Sequence, residues 1–284
     1  PFMSVQRVIF EDLKHSIDRI GRKGHIVLPA TQPARISTGH TIVDSALGGG
    51  LMRGALHDIL PVNPQDGAAA SGFALGLVAL FSCQKTNWVW VRQGMAGKET
   101  GEPYGPGLAA FGLDPNRLIL VMTGDIREAL RATEESVRCS ALSSVLFEPW
   151  GDPKALDLTA TRRLILAAEA SNVALITLRS GGHVALGSAR TRWAISAASS
   201  NPEQGATGTN AGIGNPIFKV ALTLNRQAGA GEPDGPWIME WNHAKRIFKP
   251  AALSVARPTE AINRSVTSPR TASKSLSGAL RSTG

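Results

Sequence analysis

Residues 37–61, reading STGHTIVDSALGGGLMRGALHDILP, constrain the fold more than any other stretch of the chain. Ser37-Thr38-Gly39 opens a turn, and Ile42 to Leu47 has the spacing of one amphipathic helical turn. Gly48-Gly49-Gly50 stops that turn, because glycine enters the positive-φ region without a Cβ clash. The run Ala55-Leu56-His57-Asp58-Ile59-Leu60 that follows has the length and apolar content of a buried strand. Further strands are expected over 87–93, 142–147 and 173–179, and helices over 71–84, 126–139 (capped by Asp125) and 156–171. Continuous apolar strands alternating with helices specify a doubly wound α/β core with a parallel sheet. The last third changes character. Strands at 190–197, 217–226 and 237–243 are joined by loops rather than helices, which predicts an antiparallel C-terminal extension.

The order of elements in 37–61 resembles the entry to the core of RecA-type recombinases. There S-T-G, then L-D-x-A-L-G-G-G-L, a glycine and an acidic-apolar pair lead into the phosphate-binding loop. The matching residues here are Ser37, Thr38, Gly39, Asp44, Ala46, Leu47, Gly48, Gly49, Gly50, Leu51, Gly54, Asp58 and Ile59. A second match in the right order is Leu108-Ala109-Ala110-Phe111-Gly112-Leu113-Asp114-Pro115, which resembles the family's connection into its next strand. The fold expected is therefore a RecA-like core with an antiparallel extension.

The chain departs from that family where nucleotide would bind. A phosphate loop needs G-x-x-x-x-G-K-[ST]: glycines close backbone N–H groups on phosphate, the lysine neutralises it, and the hydroxyl holds Mg²⁺. Here the sequence is VNPQDGAAASGF, with Asp66, Gly67, Ser71, Gly72 and Phe73 at the degenerate positions and no Lys or Arg between Arg53 and Lys85. Phe73 stands where the lysine would follow, and the Asp66 charge would repel a triphosphate by several kcal/mol in a partly buried site. RecA-like ATPases end the next strand on an acidic residue that activates water, whereas this strand ends Val91-Arg92-Gln93. Glu148 matches the family's metal-organising acid and is read as a relic position that could still hold a cation. No catalytic residue, cofactor or metal is assigned, and RecA-type ATP hydrolysis is not expected.

Outside the core, Val5, Val8, Ile9, Leu13, Ile17 and Ile20 recur at helical spacing and predict an amphipathic helix over 1–23. Its stripe of Val8, Ile9, Leu13 and Ile17 packs on the chain's own core or docks on a partner. Residues 24–36, with Pro29 and Pro33, read as a linker; 37–249 as the core; and 250–284 as a basic disordered tail. The net charge of +8 and pI near 10.0 fit contact with nucleic acid or an acidic partner, or merely solvated charge. Arg179, Arg190, Arg192 and Arg226, at strand ends, are the candidates for DNA contact. Lys245, Arg246 and Lys249, placed just past the last strand, are candidates for partner contact. The glycine-rich loop 201–215 lacks Lys and Arg, so it is not read as a phosphate binder. Trp88 and Trp90 are read as packing rather than base-stacking residues. Cys83 and Cys139 form no C-x-x-C motif, which argues against a zinc site or disulfide framework and fits a reducing, cytoplasmic setting. The apolar run 73–81 is too short to span a bilayer, so no membrane association is expected.

Among RecA-like chains without the lysine loop, this one is similar to the ImuA family, damage-inducible mutagenesis proteins of bacterial translesion cassettes. The similarity is carried by 37–60, by Ala69-Ala70-Ser71-Gly72-Phe73-Ala74-Leu75, Trp88-Val89-Trp90-Val91, Tyr104-Gly105-Pro106-Gly107-Leu108, Ala189-Arg190-Thr191-Arg192-Trp193 and Trp241-Asn242-His243. The resemblance implies a non-catalytic accessory role in the DNA damage response. The implied partners are an ImuB-like polymerase-family protein and an error-prone DNA polymerase, with RecA a further candidate. The competing classes are a SulA-like division inhibitor binding FtsZ, whose chains are much shorter, and a RecA-like ATPase with an unconventional site.

Overall fold

The computed structural model describes residues 35–82, 86–179, 188–200, 214–227 and 235–251, together with the backbone of the strand Gln6–Ile9. The chain divides into units Pro1–Leu253 and Ser254–Gly284; the second unit, which holds most of the expected basic tail, lies outside the described residues.

Among the described residues ten strands form one sheet: β1 (Gln6–Ile9), β4 (Leu56–Pro61), β5 (Asn87–Gln93), β6 (Leu118–Thr123), β7 (Leu142–Glu148), β8 (Ala174–Leu178), β9 (Thr191–Ala198), β10 (Ile217–Asn225), β11 (Trp237–Asn242) and β12 (Ile247–Pro250). Their order is β1-β6-β5-β7-β8-β4-β9-β10-β11-β12. Pairing is parallel from β1 through β9 and antiparallel from β9 through β12. β2 (Arg35–Ile36) and β3 (Leu51–Met52) make a separate antiparallel pair. The fold is α/β, with a large, mostly parallel central sheet and an antiparallel C-terminal section, consistent with a RecA-like core.

Helices cover both faces. α2 (Gly67–Phe81) packs on one face of the sheet, while α5 (Ile126–Val137) and α6 (Leu158–Ser171) pack together on the other. Shorter helices are α1 (Thr41–Ala46), α3 (Gly94–Thr100) and α4 (Gly105–Ala110). Asp125 caps α5 as its sequence position predicts, accepting from the amides of Arg127 and Glu128.

The Ser-Thr-Gly segment has a structural job. Asp44 accepts from the Ser37 hydroxyl at 2.5 Å, the Thr38 amide at 2.8 Å and the Thr38 hydroxyl at 2.7 Å. This clasp presents the Thr38 carbonyl to the Phe248 amide at 2.7 Å, tying the segment to β12. Gly39 is required there: its φ is +90°, and a Cβ would stand 2.6 Å from the Phe248 carbonyl oxygen.

Three expectations are corrected. Residues 6–9 form an edge strand running parallel to β6, with Gln6 beside Ile119 and Ile9 beside Met122, instead of the start of a helix. Val8 and Ile9 are β-branched, and pairing with β6 overrides the helical spacing of the apolar residues; Leu13 and Ile17 lie outside the described residues. Residues 94–107, whose two prolines and five glycines read in the sequence as a surface loop, instead contain α3 and the start of α4, because burial of Ala96 and anchoring of Thr100 outweigh the low helix propensity of the glycines. The chain also folds into a twelfth strand, β12, at positions read as the end of the core.

Phe73 holds the parallel and antiparallel sections together. Its ring, 1% exposed, lies 5.0 Å from that of Phe248, 5.8 Å from Trp193 and 5.9 Å from Phe218. One turn on, Gly76 lets α2 approach Trp241 and Phe248; a Cβ there would sit 2.6 Å from Phe248 Cζ. Phe73→Ala should lower the unfolding free energy by about 3–5 kcal/mol in a urea titration. Phe73→Lys, which places the family's cation at this position, should cost more, because the ammonium has no partner among these rings.

Candidate functional site

In an open α/β sheet, ligands bind beyond the carboxyl ends of the parallel strands. Here that region lies past β4, β5 and β7. The connection from β4 to α2 occupies residues 62–66 and ends in a 3₁₀ turn, Pro64–Asp66. Asp66 is buried. Its Oδ2 accepts from the Asn63 amide and side-chain Nδ2, both at 3.1 Å, and its Oδ1 accepts from the Ala197 amide at 2.9 Å. The Ala197 hydrogen bond foremost, with those from Asn63, holds the Asp66 carboxyl below its usual range. The carboxylate therefore stitches the turn to β9, at the place where a phosphate loop would close on its ligand. Gly67, Ser71 and Gly72 belong to α2.

The ends of β5 and β7 are closed by a buried ion pair. Arg92 and Glu148 stand in register on these adjacent strands, with Arg92 Nε 2.6 Å from Glu148 Oε2. Both are nearly inaccessible, at 3% and 1% side-chain exposure. Trp90 Nε1 donates to the same Glu148 oxygen at 3.0 Å, and the guanidinium lies 5.0 Å from the Trp90 ring centroid. Arg92 donates further to the Gly101 carbonyl at 2.7 Å and the Thr100 hydroxyl at 2.5 Å. The Arg92 guanidinium thus supplies the positive charge that Glu148 would otherwise find in a metal ion, and a cation at Glu148 would have to displace it. Among the described residues no group of three or more His, Cys, Asp and Glu side chains is arranged to hold a metal.

Beside this closed region runs a groove of about 740 Å³, between the start of α2 and the end of β9 with the start of β10. Ala68, Ala69, Leu75, Phe111, Ile217 and Phe218 give it an apolar wall, and no charged side chain among the described residues lines it. Such a surface suits apolar side chains and offers nothing to neutralise phosphate.

The candidate DNA contacts separate into two groups. Arg179 and Arg192 are buried around Asp58, with Arg192 Nη2 3.1 Å from Asp58 Oδ2 and Arg179 Nε 3.8 Å from Oδ1. Strand register places Asp58 beside Arg192, so their charges meet inside the protein and not at a surface patch. Arg190 and Arg226 lie together at the opposite end of β4 and β9 from the groove. The proposed partner contacts are also redistributed: Lys249 is in β12 and bridges Glu240 at 3.0 Å, while Lys245 and Arg246 form the turn before it. Arg246 adopts φ 51°, with its stem packed over Gly112. Trp88 and Trp90 are buried, with ring centroids 6.2 Å apart, in keeping with a packing role.

His57 was not singled out by its sequence, yet it is fully buried within β4. Its Nε2–H donates to the Met52 carbonyl at 2.9 Å, which leaves Nδ1 to accept from the Thr191 hydroxyl at 2.8 Å. Trp193 Nε1 donates to that same hydroxyl at 2.8 Å. Burial pushes the imidazole pKa down to about 4, helped by the nearby Arg190 charge.

No family model matches this chain, and no curated protein matches it. No helix among the described residues is long and apolar enough to cross a membrane.

Two stability experiments follow from this geometry. Arg92→Met strands a buried carboxylate and should cost about 3–5 kcal/mol, whereas Arg92→Met combined with Glu148→Met should recover most of that loss in denaturant titrations. Because the folded His57 pKa lies below its unfolded value of 6.5, its contribution favours folding above that pH and is lost as pH falls toward about 4. The loss attributable to His57 should approach about 3 kcal/mol, read as the difference between the pH–stability curves of the wild type and His57→Gln.

Proposed function

We propose that this chain is a non-catalytic RecA-like accessory protein of a damage-induced translesion synthesis complex. It works in the cytoplasm through contacts with an ImuB-like polymerase-family protein and an error-prone DNA polymerase. The observation that carries this reading is the replacement of nucleotide-binding chemistry by packing and internal pairing. Phe73 fills the lysine position with an aromatic core contact, Arg92 neutralises Glu148, and Asp66 bonds the loop to β9.

The sequence resemblance to the ImuA family supplies the partner class, and the apolar groove beside α2 supplies a surface of fitting chemistry. A groove whose described lining is small, apolar and aromatic, with no charge among the described residues, takes up apolar anchors, the side chains that dominate protein interfaces. Ala68 is exposed on the groove wall, so a long charged side chain there fills the groove without disturbing the core. Ala68→Arg should weaken association with a purified ImuB-like protein by about tenfold or more, as loss of an interface anchor does, while the melting temperature stays unchanged. Undiminished association of this variant, or no association of the wild type, would count against the proposal.

A further inference from the structure

At the end of the sheet opposite the groove, β9 and β10 bring two arginines face to face. Thr191 pairs with Asn225, and the next residues outward, Arg190 and Arg226, are joined by an amide-to-carbonyl hydrogen bond of 2.9 Å. Like charges opposite one another on antiparallel strands destabilise the pair. A third cation, Arg162 from α6, lines the same pocket. Among the described residues the one carboxylate lining it is Glu169, which pairs with Arg190 at 3.3 Å. Among the described residues, three arginines against one glutamate leave an excess of two positive charges around the pocket. Its floor is Ala55, Leu56 and Ile165, all buried, so the charges converge above a low-dielectric surface where an anion is held more strongly than in water. The Ser188 side chain adds a hydroxyl at the rim.

Pocket size narrows the ligand. Its volume is about 180 Å³, below the ~300 Å³ at which pockets for drug-sized organic ligands begin. A nucleoside does not fit, whereas a phosphate group with a few waters does. Guanidinium forks match the oxygens of such a group in geometry and charge. We propose that Arg162, Arg190 and Arg226 form a binding site for a single phosphate group, borne by a nucleic-acid strand or supplied as the free anion. Glu169 competes with that phosphate for Arg190, so the pocket holds its own internal stand-in for the ligand.

Titration of the full chain with sodium phosphate, against sodium chloride at matched ionic strength, reads this site directly by calorimetry. Binding should saturate. Arg190→Gln and Arg226→Gln should each weaken it by about tenfold, the loss expected when a hydrogen bond between charged groups is removed. Glu169→Gln should strengthen it, a change of sign that generic surface attraction does not produce. Arg226 is exposed, so its substitution leaves the fold intact. A short single-stranded oligonucleotide, with and without a 5′-phosphate, distinguishes the sources. Dependence on the 5′-phosphate identifies a strand end. Equal, Arg226-dependent binding of both oligonucleotides identifies the backbone. Phosphate binding without oligonucleotide binding identifies the free anion. Absence of saturable phosphate binding by the wild type, or binding indifferent to Arg190→Gln and Arg226→Gln, overturns the proposal.

Discussion

The packing of Phe73 against Phe248, Phe218 and Trp193 is the contact on which the architecture depends. It connects three things that sequence separates: the helix after the degenerate loop, the last parallel strand and the antiparallel extension. A helix that is apolar nearly all round can exist in water only if covered on most sides; β4, β7, β8 and β9 cover α2 along the parallel sheet, and Phe218 of β10 and Phe248 of β12 complete the cover. A cation at this position would have to be drawn out of the aromatic cluster toward a ligand. The side chain that stands where a phosphate loop carries its lysine is thus also the side chain that joins the two sections of the sheet.

The closure at the ends of β5 and β7 has a different physical character. A buried ion pair contributes little net stability, because the desolvation of both charges offsets their attraction. Its consequence is geometric: once Arg92 and Glu148 are both present, neither can be left alone without a large penalty. Arg92 also reaches Thr100 and the Gly101 carbonyl, so the pair fixes α3 over the strand ends. Asp66 acts similarly from the other side of the groove by joining the 3₁₀ turn to β9. The apolar groove is what remains between these fixed points.

Much of the core was legible because its strands are continuous apolar runs of the right length. Residues 142–147 and 173–179 carry no competing pattern, and they became β7 and β8 with only their ends shifted. The first strand was misread because Val5, Val8, Ile9 and Leu13 fit a helical period, while the pairing partner that makes 6–9 a strand lies more than a hundred residues away in β6. The basic residues failed for a related reason. Sequence shows where charges are but not what faces them, and Asp58, which stands between Arg192 and Arg179, is more than a hundred residues from both. Arg92 was visible only as the absence of an acid; its pairing with Glu148 depends on the register of β5 against β7. Arg162, on a helix made mostly of Leu, Ile, Ala and Thr, carries no sequence signal that it joins Arg190 and Arg226.

The account rests on the claim that internal groups occupy the place a nucleotide would take. Calorimetric titration of the full chain with Mg²⁺–ATP examines this claim most directly, since it registers binding whether or not hydrolysis follows. The account predicts no saturable heat at the β4–α2 turn, and therefore the same trace for the wild type and for variants at Asp66 and Glu148. Saturable Mg²⁺–ATP binding that disappears in Glu148→Gln would contradict it.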